Sequence, residues 1–236
     1  MARRLSKDES YWYIHKLSGG KEGSPYLPET EKERLLRVID EFVTVRERCL
    51  REIKVQGSRF LAAVFPVTDT ALVDSCIAAI RKEYHDATHH CFAYRLGTEE
   101  TRFRYGDDGE PNGTAGKPIL AAIDREGVTN TLVVVTRYFG GVKLGTGGLA
   151  RAYGKAAQSA LAAAPKEVQY LTTIIRATFP HASIGQAMTV FGRFGIKVLE
   201  TIYDDEVHVR VDVRLSHAEK VKRELIDQTA GKVVFK

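Results

Sequence analysis

Residues 207–215 read VHVRVDVRL, with Val207, Val209, Val211, Val213 and Leu215 at every second position. Successive side chains of a strand point to opposite faces, so this run is a strand with one face buried. Its neighbours leave few folds open. LTTIIRATF (171–179) and IKVLETIY (196–203) are strands, and SIGQAMTVFGRFG (183–195) is a helix closed by Gly195. HAEKVKRELIDQTAG (217–231) is a helix with Gly231 at its C′ position, and KVVF (232–235) is a last short strand. The order βαββαβ within about 70 residues is the ferredoxin-like split βαβ plan. A chain of 236 residues, 44% of them hydrophobic, has material for a second core, and the junction is placed at Pro165–Gln169.

Upstream, residues 1–28 are mixed, with Gly19, Gly20, Gly23, Pro25 and Pro28 interrupting them, and read as a leader. A helix is expected near 30–48, because acids in ETEKE precede Leu35, Leu36, Ile39, Phe42 and Val43 at helical spacing. RFLAAVFPV after Gly57, HHCFAYRL (89–96) and TLVVVTRYF (131–139) read as strands, the last apolar enough for burial on both faces. Val73, Ile77, Ile80 and Tyr84 mark a helix capped by Asp69 or Thr70. Leu149, Tyr153, Ala157, Ala160 and Ala164 mark another, whose small residues allow it to lie close to a sheet.

Charge and composition exclude several classes. The formal net charge of +5 is dispersed, without the dense basic stripe of a dedicated duplex-DNA binder. Cys49, Cys76 and Cys91 are an odd number with no short-spaced pair, as in a reduced compartment. No apolar run reaches the ~18 residues of a membrane span, and MARRLSKDESYWYIHKL lacks the apolar core of a secretory signal. A cytoplasmic protein is expected, with a monomer as the oligomeric state adopted.

Ten of the twenty glycines lie between Gly106 and Gly148. Eight of these belong to DDGEPNGTAGKPIL (107–120) and RYFGGVKLGTGGLARAY (137–153), loops or loop-to-helix transitions separated by one strand. A P-loop fails twice, since Lys117 is followed by Pro118 and Pro111 stands where its first glycine belongs. Gly145, Gly147 and Ala150 match G-x-G-x-x-A, but the strand ends several residues too early for a dinucleotide turn. Backbone N–H groups of GTGG opening a helix still suit an anion, with Arg137, Lys143 and Arg151 alongside and Tyr138, Phe139 and Tyr153 available to stack on bases. Asp107, Asp108 and Glu110 either pair with Arg137 and Arg151 or hold a divalent ion. His85, His89, His90 and Cys91 match no common zinc frame, and no nucleophile elbow is present.

Together these two segments, with EIKVQGSRFLA and DATHHCFAY upstream, resemble the YigZ/IMPACT family over residues 50–236. Residues 1–45 lie outside the likeness and are too short for the separate N-terminal RWD domain of eukaryotic members, so the chain looks like a bacterial YigZ-type protein. The resemblance implies an α+β protein of two domains, 46–165 and 169–236. The first would be similar to the second domain of small-subunit ribosomal protein five, the second to the fifth domain of elongation factor G. Eukaryotic members are implicated in regulating translation initiation under amino-acid starvation, through protein partners. Carried over by motif, the shared surface comprises Lys54, Ser58, Arg59, His89, His90, Asp107, Asp108, Glu110, Thr114, Arg137, Tyr138, Lys143 and Arg151, to which the turn adds Gly145, Gly147 and Gly148.

Three functions compete at this level. The first is a protein that regulates translation by meeting RNA, the ribosome or translation-related proteins. The second is an enzyme on a nucleotide or phosphorylated small molecule, with Asp107, Asp108 and Glu110 holding magnesium. The third is a protein-interaction module without catalysis, needing no cofactor.

Overall fold

In the computed structural model, residues 40–98 and 102–236 are described. The chain is an α+β protein of two compact units, and the boundaries fall at Glu41/Phe42 and Gln169/Tyr170. Among the described residues no helix is long and apolar enough to cross a membrane.

The first unit is built on a five-stranded sheet of β2 (Cys49–Val55), β3 (Ser58–Pro66), β4 (His89–Leu96), β5 (Arg102–Gly106) and β6 (Thr131–Tyr138). Its order is β2-β3-β6-β4-β5, antiparallel throughout. The central strand β6 is apolar on both sides because both sides are covered. Leu132 and Val134 join the core with Val73 and Ile80 of α1 (Thr70–Glu83). Val133 and Val135 join the other core, with Ile119 and Ile123 of α2 (Gly116–Glu126) and Tyr153, Ala156 and Ala160 of α3 (Gly145–Ala163). As the alanines of α3 suggested, small side chains let this helix lie against the sheet.

The helix expected near 30–48 is largely outside the described residues, and its C-terminal part is not helical. Residues Glu41–Val45 form a strand, β1, paired with β7 (Lys166–Tyr170) in a two-stranded ribbon. The β-branched run Val43-Thr44-Val45 favours that conformation. Long-range bonds fix it: Thr129 N–H donates to Val43 O (3.0 Å), Thr44 Oγ1 donates to Asn130 O (3.3 Å), and Val45 is fully buried. Helical spacing loses to a partner strand that lies far along the chain.

The second unit contains β8 (Thr172–Phe179), α4 (Ile184–Arg193), β9 (Lys197–Tyr203), β10 (Val207–Arg214), α5 (Ala218–Gln228) and β11 (Val234–Phe235). The sheet order β11-β8-β10-β9 is the ferredoxin-like arrangement expected of βαββαβ. Val207, Val209, Val211 and Val213 are buried together with Val190, Phe191, Val221 and Leu225 of the two helices. Leu215 departs from the alternation, because the strand ends at Arg214 and a short 3₁₀ turn, Leu215–His217, follows. Asp40 belongs to this unit: its carboxylate accepts from Arg214 Nε (2.9 Å) and Nη2 (2.7 Å) and from Ser216 N–H (2.8 Å).

Candidate functional site

The first half of the DDGEPNGTAGKPIL segment is a type I′ pattern. Asp107 O accepts from Glu110 N–H at 2.9 Å, and the central residues Asp108 (φ 44°) and Gly109 (φ 87°) both lie in the left-handed region. From this turn each acid takes a different direction. Asp107 Oδ1 accepts from Ala115 N–H (3.0 Å) and Gly116 N–H (2.8 Å), and Oδ2 accepts from Gly113 N–H (2.9 Å). It therefore caps α2 from eight residues upstream of the residue at the N-cap position, Ala115, whose own side chain cannot. Burial alone would raise the Asp107 carboxyl, but these backbone donors hold it below the usual carboxylate range.

Asp108 accepts from Arg81 Nη2 (2.5 Å) and from His90 N–H (2.7 Å), while its carbonyl meets His89 Nδ1 at 2.7 Å. Burial opposes ionisation here as well, and the Arg81 and His90 bonds outweigh it to lower the pKa. The turn thus straps α1 to β4.

Glu110 turns into the protein. Glu110 and Arg137 are only 8% and 5% exposed. Glu110 Oε1 accepts from Arg137 Nη1 (2.6 Å) and from the Tyr153 hydroxyl (2.8 Å), with His89 Nε2 3.9 Å away. The Arg137 guanidinium carbon also lies 5.5 Å from the ring centroids of Phe60 and Phe139. Tyr153 packs edge-on to Phe60, centroids 5.1 Å apart. Burial pushes the Tyr153 hydroxyl far up and the Cys91 thiol, which donates to Asp107 O, up to about 12. Neither is a nucleophile at neutral pH. The assembly is a buried ion pair in an aromatic box, and Arg137 Nε is left without an acceptor.

The second loop has the opposite character. It leaves β6 through Phe139-Gly140-Gly141, and Gly140 lies against the Gln56-Gly57 turn between β2 and β3. A Cβ on Gly140 would fall 1.9 Å from Gly57 C, so only glycine fits. Gly140 N–H donates to Ser58 Oγ (3.1 Å), which anchors the loop base. Beyond that point Phe139 and Val142 are 48% and 50% exposed. Lys143, Gly145, Thr146 and Gly147 are exposed too, and Gly148 is half-buried. Helix α3 opens at Gly145 with no side-chain cap and no acid in its first turn. Arg151 Nη1 lies 3.4 Å from the point a Cβ on Gly147 would occupy, so a guanidinium stands over that first turn. Neither Lys143 nor Arg151 has an acidic partner among the described residues.

The sequence-derived set therefore separates into two groups. Lys143, Gly145, Gly147, Gly148 and Arg151 form an open cationic turn. Arg137 and Tyr153, expected to meet phosphate and base, are buried because their strand and helix face the same core. Ser58, His90 and Thr114 are buried as well, Thr114 bonding Pro111 O and His90 facing Thr136 Oγ1 at 3.1 Å. Burial lowers the His90 pKa. Arg59 is engaged with Glu52 (2.9 Å) over the Tyr138 ring, and the Tyr138 hydroxyl donates to Asp86 (2.7 Å). Lys54 is exposed on β2, cross-strand from Arg59. Arg151 does not pair with the acidic loop, and Arg81, which does, was not anticipated. Among the described residues no three His, Cys, Asp or Glu side chains gather to hold a metal. The three acids weighed as magnesium ligands turn different ways, each bonded to its own donors.

Residues 56–161 match the Impact N-terminal domain, and residues 178–232 match a domain of unknown function, DUF1949. The chain is 30% identical over 180 residues to the IMPACT family member YigZ of Escherichia coli, covering 75% of this chain and 88% of that protein. It is 41% identical over 124 residues to the IMPACT family member YvyE of Bacillus subtilis, spanning 52% of this chain and only 57% of that one. A solved structure described as a hypothetical protein superposes with a TM-score of 0.65 at 27% identity, over 83% of this chain and 96% of its own. Glycine turn, buried ion pair and both matched domains lie on one chain, and that chain belongs to the IMPACT family.

Proposed function

We propose that this protein takes part in the regulation of translation by binding RNA, most directly on the ribosome, through the turn that opens α3. The observation that carries the reading is the unbalanced charge of that turn. Lys143 and Arg151 flank the positive end of a helix with no acid in its first turn. A cation at a helix N-terminus is unfavourable until an anion joins it. Exposed Phe139 beside them offers a face on which a base can stack. The translational context comes from the eukaryotic members of the family that the sequence resembles. Catalysis is not part of the proposal, because the acids that would have held a metal serve as a cap, a strap and a buried counter-ion.

The test is co-sedimentation with ribosomes over a potassium chloride series, comparing wild type with Lys143→Ala/Arg151→Ala. Wild type should pellet with ribosomes at low salt and release steeply as counterions compete. The double variant, still folded, should remain in the supernatant. Equal pelleting by both proteins would remove the turn from the interface.

A further inference from the structure

The positive charge does not stop at the glycine turn. Helices α2 and α3 lie side by side and leave between them a groove of about 320 Å³. Arg125 of α2 borders it, with Arg151 and Lys155 one turn apart on α3. All three cations are exposed, and none has an acidic partner among the described residues. The acids on α2 are engaged elsewhere, Asp124 with Arg95 and Glu126 with Lys166 (2.7 Å). Like charges at i and i+4 repel along a helix, so Arg151 and Lys155 stand in a conformation that a bound anion would relieve.

We propose that this groove holds the phosphodiester backbone of a single RNA strand continuing from the glycine turn, without regard to its sequence. The inference rests on the RNA reading above and adds the path of the strand. Arg125 and Arg151 present planar forks to phosphate oxygens, and Lys155 a point charge. Residues four apart on a helix rise by about 6 Å, which suits neighbouring phosphates of an extended strand. Gly154 and Pro118 meet at the floor, where a Cβ on Gly154 would make an ordinary van der Waals contact, 3.7 Å from Pro118 Cβ. No aromatic side chain lines the groove, so bases find nothing to stack on and contact is confined to the backbone. An acidic polypeptide is the poorer fit, because alanine, glycine and proline offer no pocket to anchor its side chains.

The experiment measures binding of fluorescein-labelled oligouridine and oligoadenosine across a potassium chloride series. Wild type is compared with Arg125→Ala/Lys155→Ala, which leaves the glycine turn intact, and with the charge reversal Arg125→Glu/Lys155→Glu. Thermal melting confirms that each is folded. The alanine variant should bind both homopolymers more weakly and to the same degree. The slope of log K against log salt should shrink by about 1.4, from two lost phosphate contacts at about 0.7 each, and the charge reversal should abolish binding. If both groove variants match wild type while Lys143→Ala is weakened, the groove proposal is overturned and the RNA reading stands. If wild type binds neither homopolymer, both fall. If polyglutamate, and not RNA, binds wild type and is lost from the variants, the occupant is an acidic polypeptide and the proposal is again overturned.

Discussion

The two glycine-rich loops lie one strand apart and use charge in opposite ways. In the Asp107–Gly116 loop every carboxylate meets donors inside the molecule: backbone N–H groups for Asp107, Arg81 and His90 N–H for Asp108, Arg137 and Tyr153 for Glu110. In the Phe139–Gly148 loop Lys143 and the helix end, with Arg151 just beyond, face outward, and neither cation has an acidic partner among the described residues. Both are dense in glycine, yet one is framework and the other is surface. The first needs glycine to fold acids back onto the backbone. The second needs it so that the loop can lie against Gly57 and present bare N–H groups.

If that division holds, substitutions should sort into two classes. The largest effect should come from Glu110→Ala, which strands the buried Arg137 charge and removes the acceptor of the Tyr153 hydroxyl. Breaking a buried pair from one side costs about 3–5 kcal/mol, measurable as a fall in the urea midpoint. Next is Asp107→Ala, which frees the amides of Gly113, Ala115 and Gly116 and should cost about 2 kcal/mol. Amide exchange in the first turn of α2 should rise along with it.

The same loop should carry a pH signature. Asp107 and Asp108 are held below their ordinary pKa, so their stabilisation is complete above the unfolded value near 3.9 and is lost as pH falls through the lower folded values. Wild-type stability should therefore decline below about pH 4, and the decline should be shallower in Asp107→Asn. A parallel decline in that variant would show that Asp107 does not contribute. The smallest stability effect belongs to Lys143→Ala, expected within about 0.5 kcal/mol of wild type for an exposed, unpaired side chain.

What could be read in advance follows the range of the forces involved. The C-terminal unit was legible because its signals are local: period-two strands, and glycines at Gly195 and Gly231 where positive φ closes a helix. β1 was not, since its conformation is set by β7, more than a hundred residues away. β5, RFRYG, alternates arginine with an aromatic residue over only four positions at the sheet edge, too short a run to stand out as a strand. The acidic loop was half legible. Pairing of the acids with Arg137 was one of two readings the composition allows, and Glu110 is the acid that takes it, whereas Arg81 lies on a helix that only the fold brings to Asp108. The sequence alone leaves Arg137 either to phosphate or to the acids, yet a clue that decides between them is present in it. A strand apolar on both faces leaves its one arginine nowhere to go but inward, and an inward arginine needs a buried acid.

The most direct test of this account is a paired measurement of RNA affinity at low salt for folded Asp108→Ala and Lys143→Ala. Asp108→Ala loses its bonds to Arg81 and His90, and should melt earlier yet bind oligouridine as wild type does. Lys143→Ala should melt as wild type does and bind several-fold more weakly. The opposite pattern, with affinity lost in Asp108→Ala and kept in Lys143→Ala, would contradict the account by making the acidic loop the binding surface.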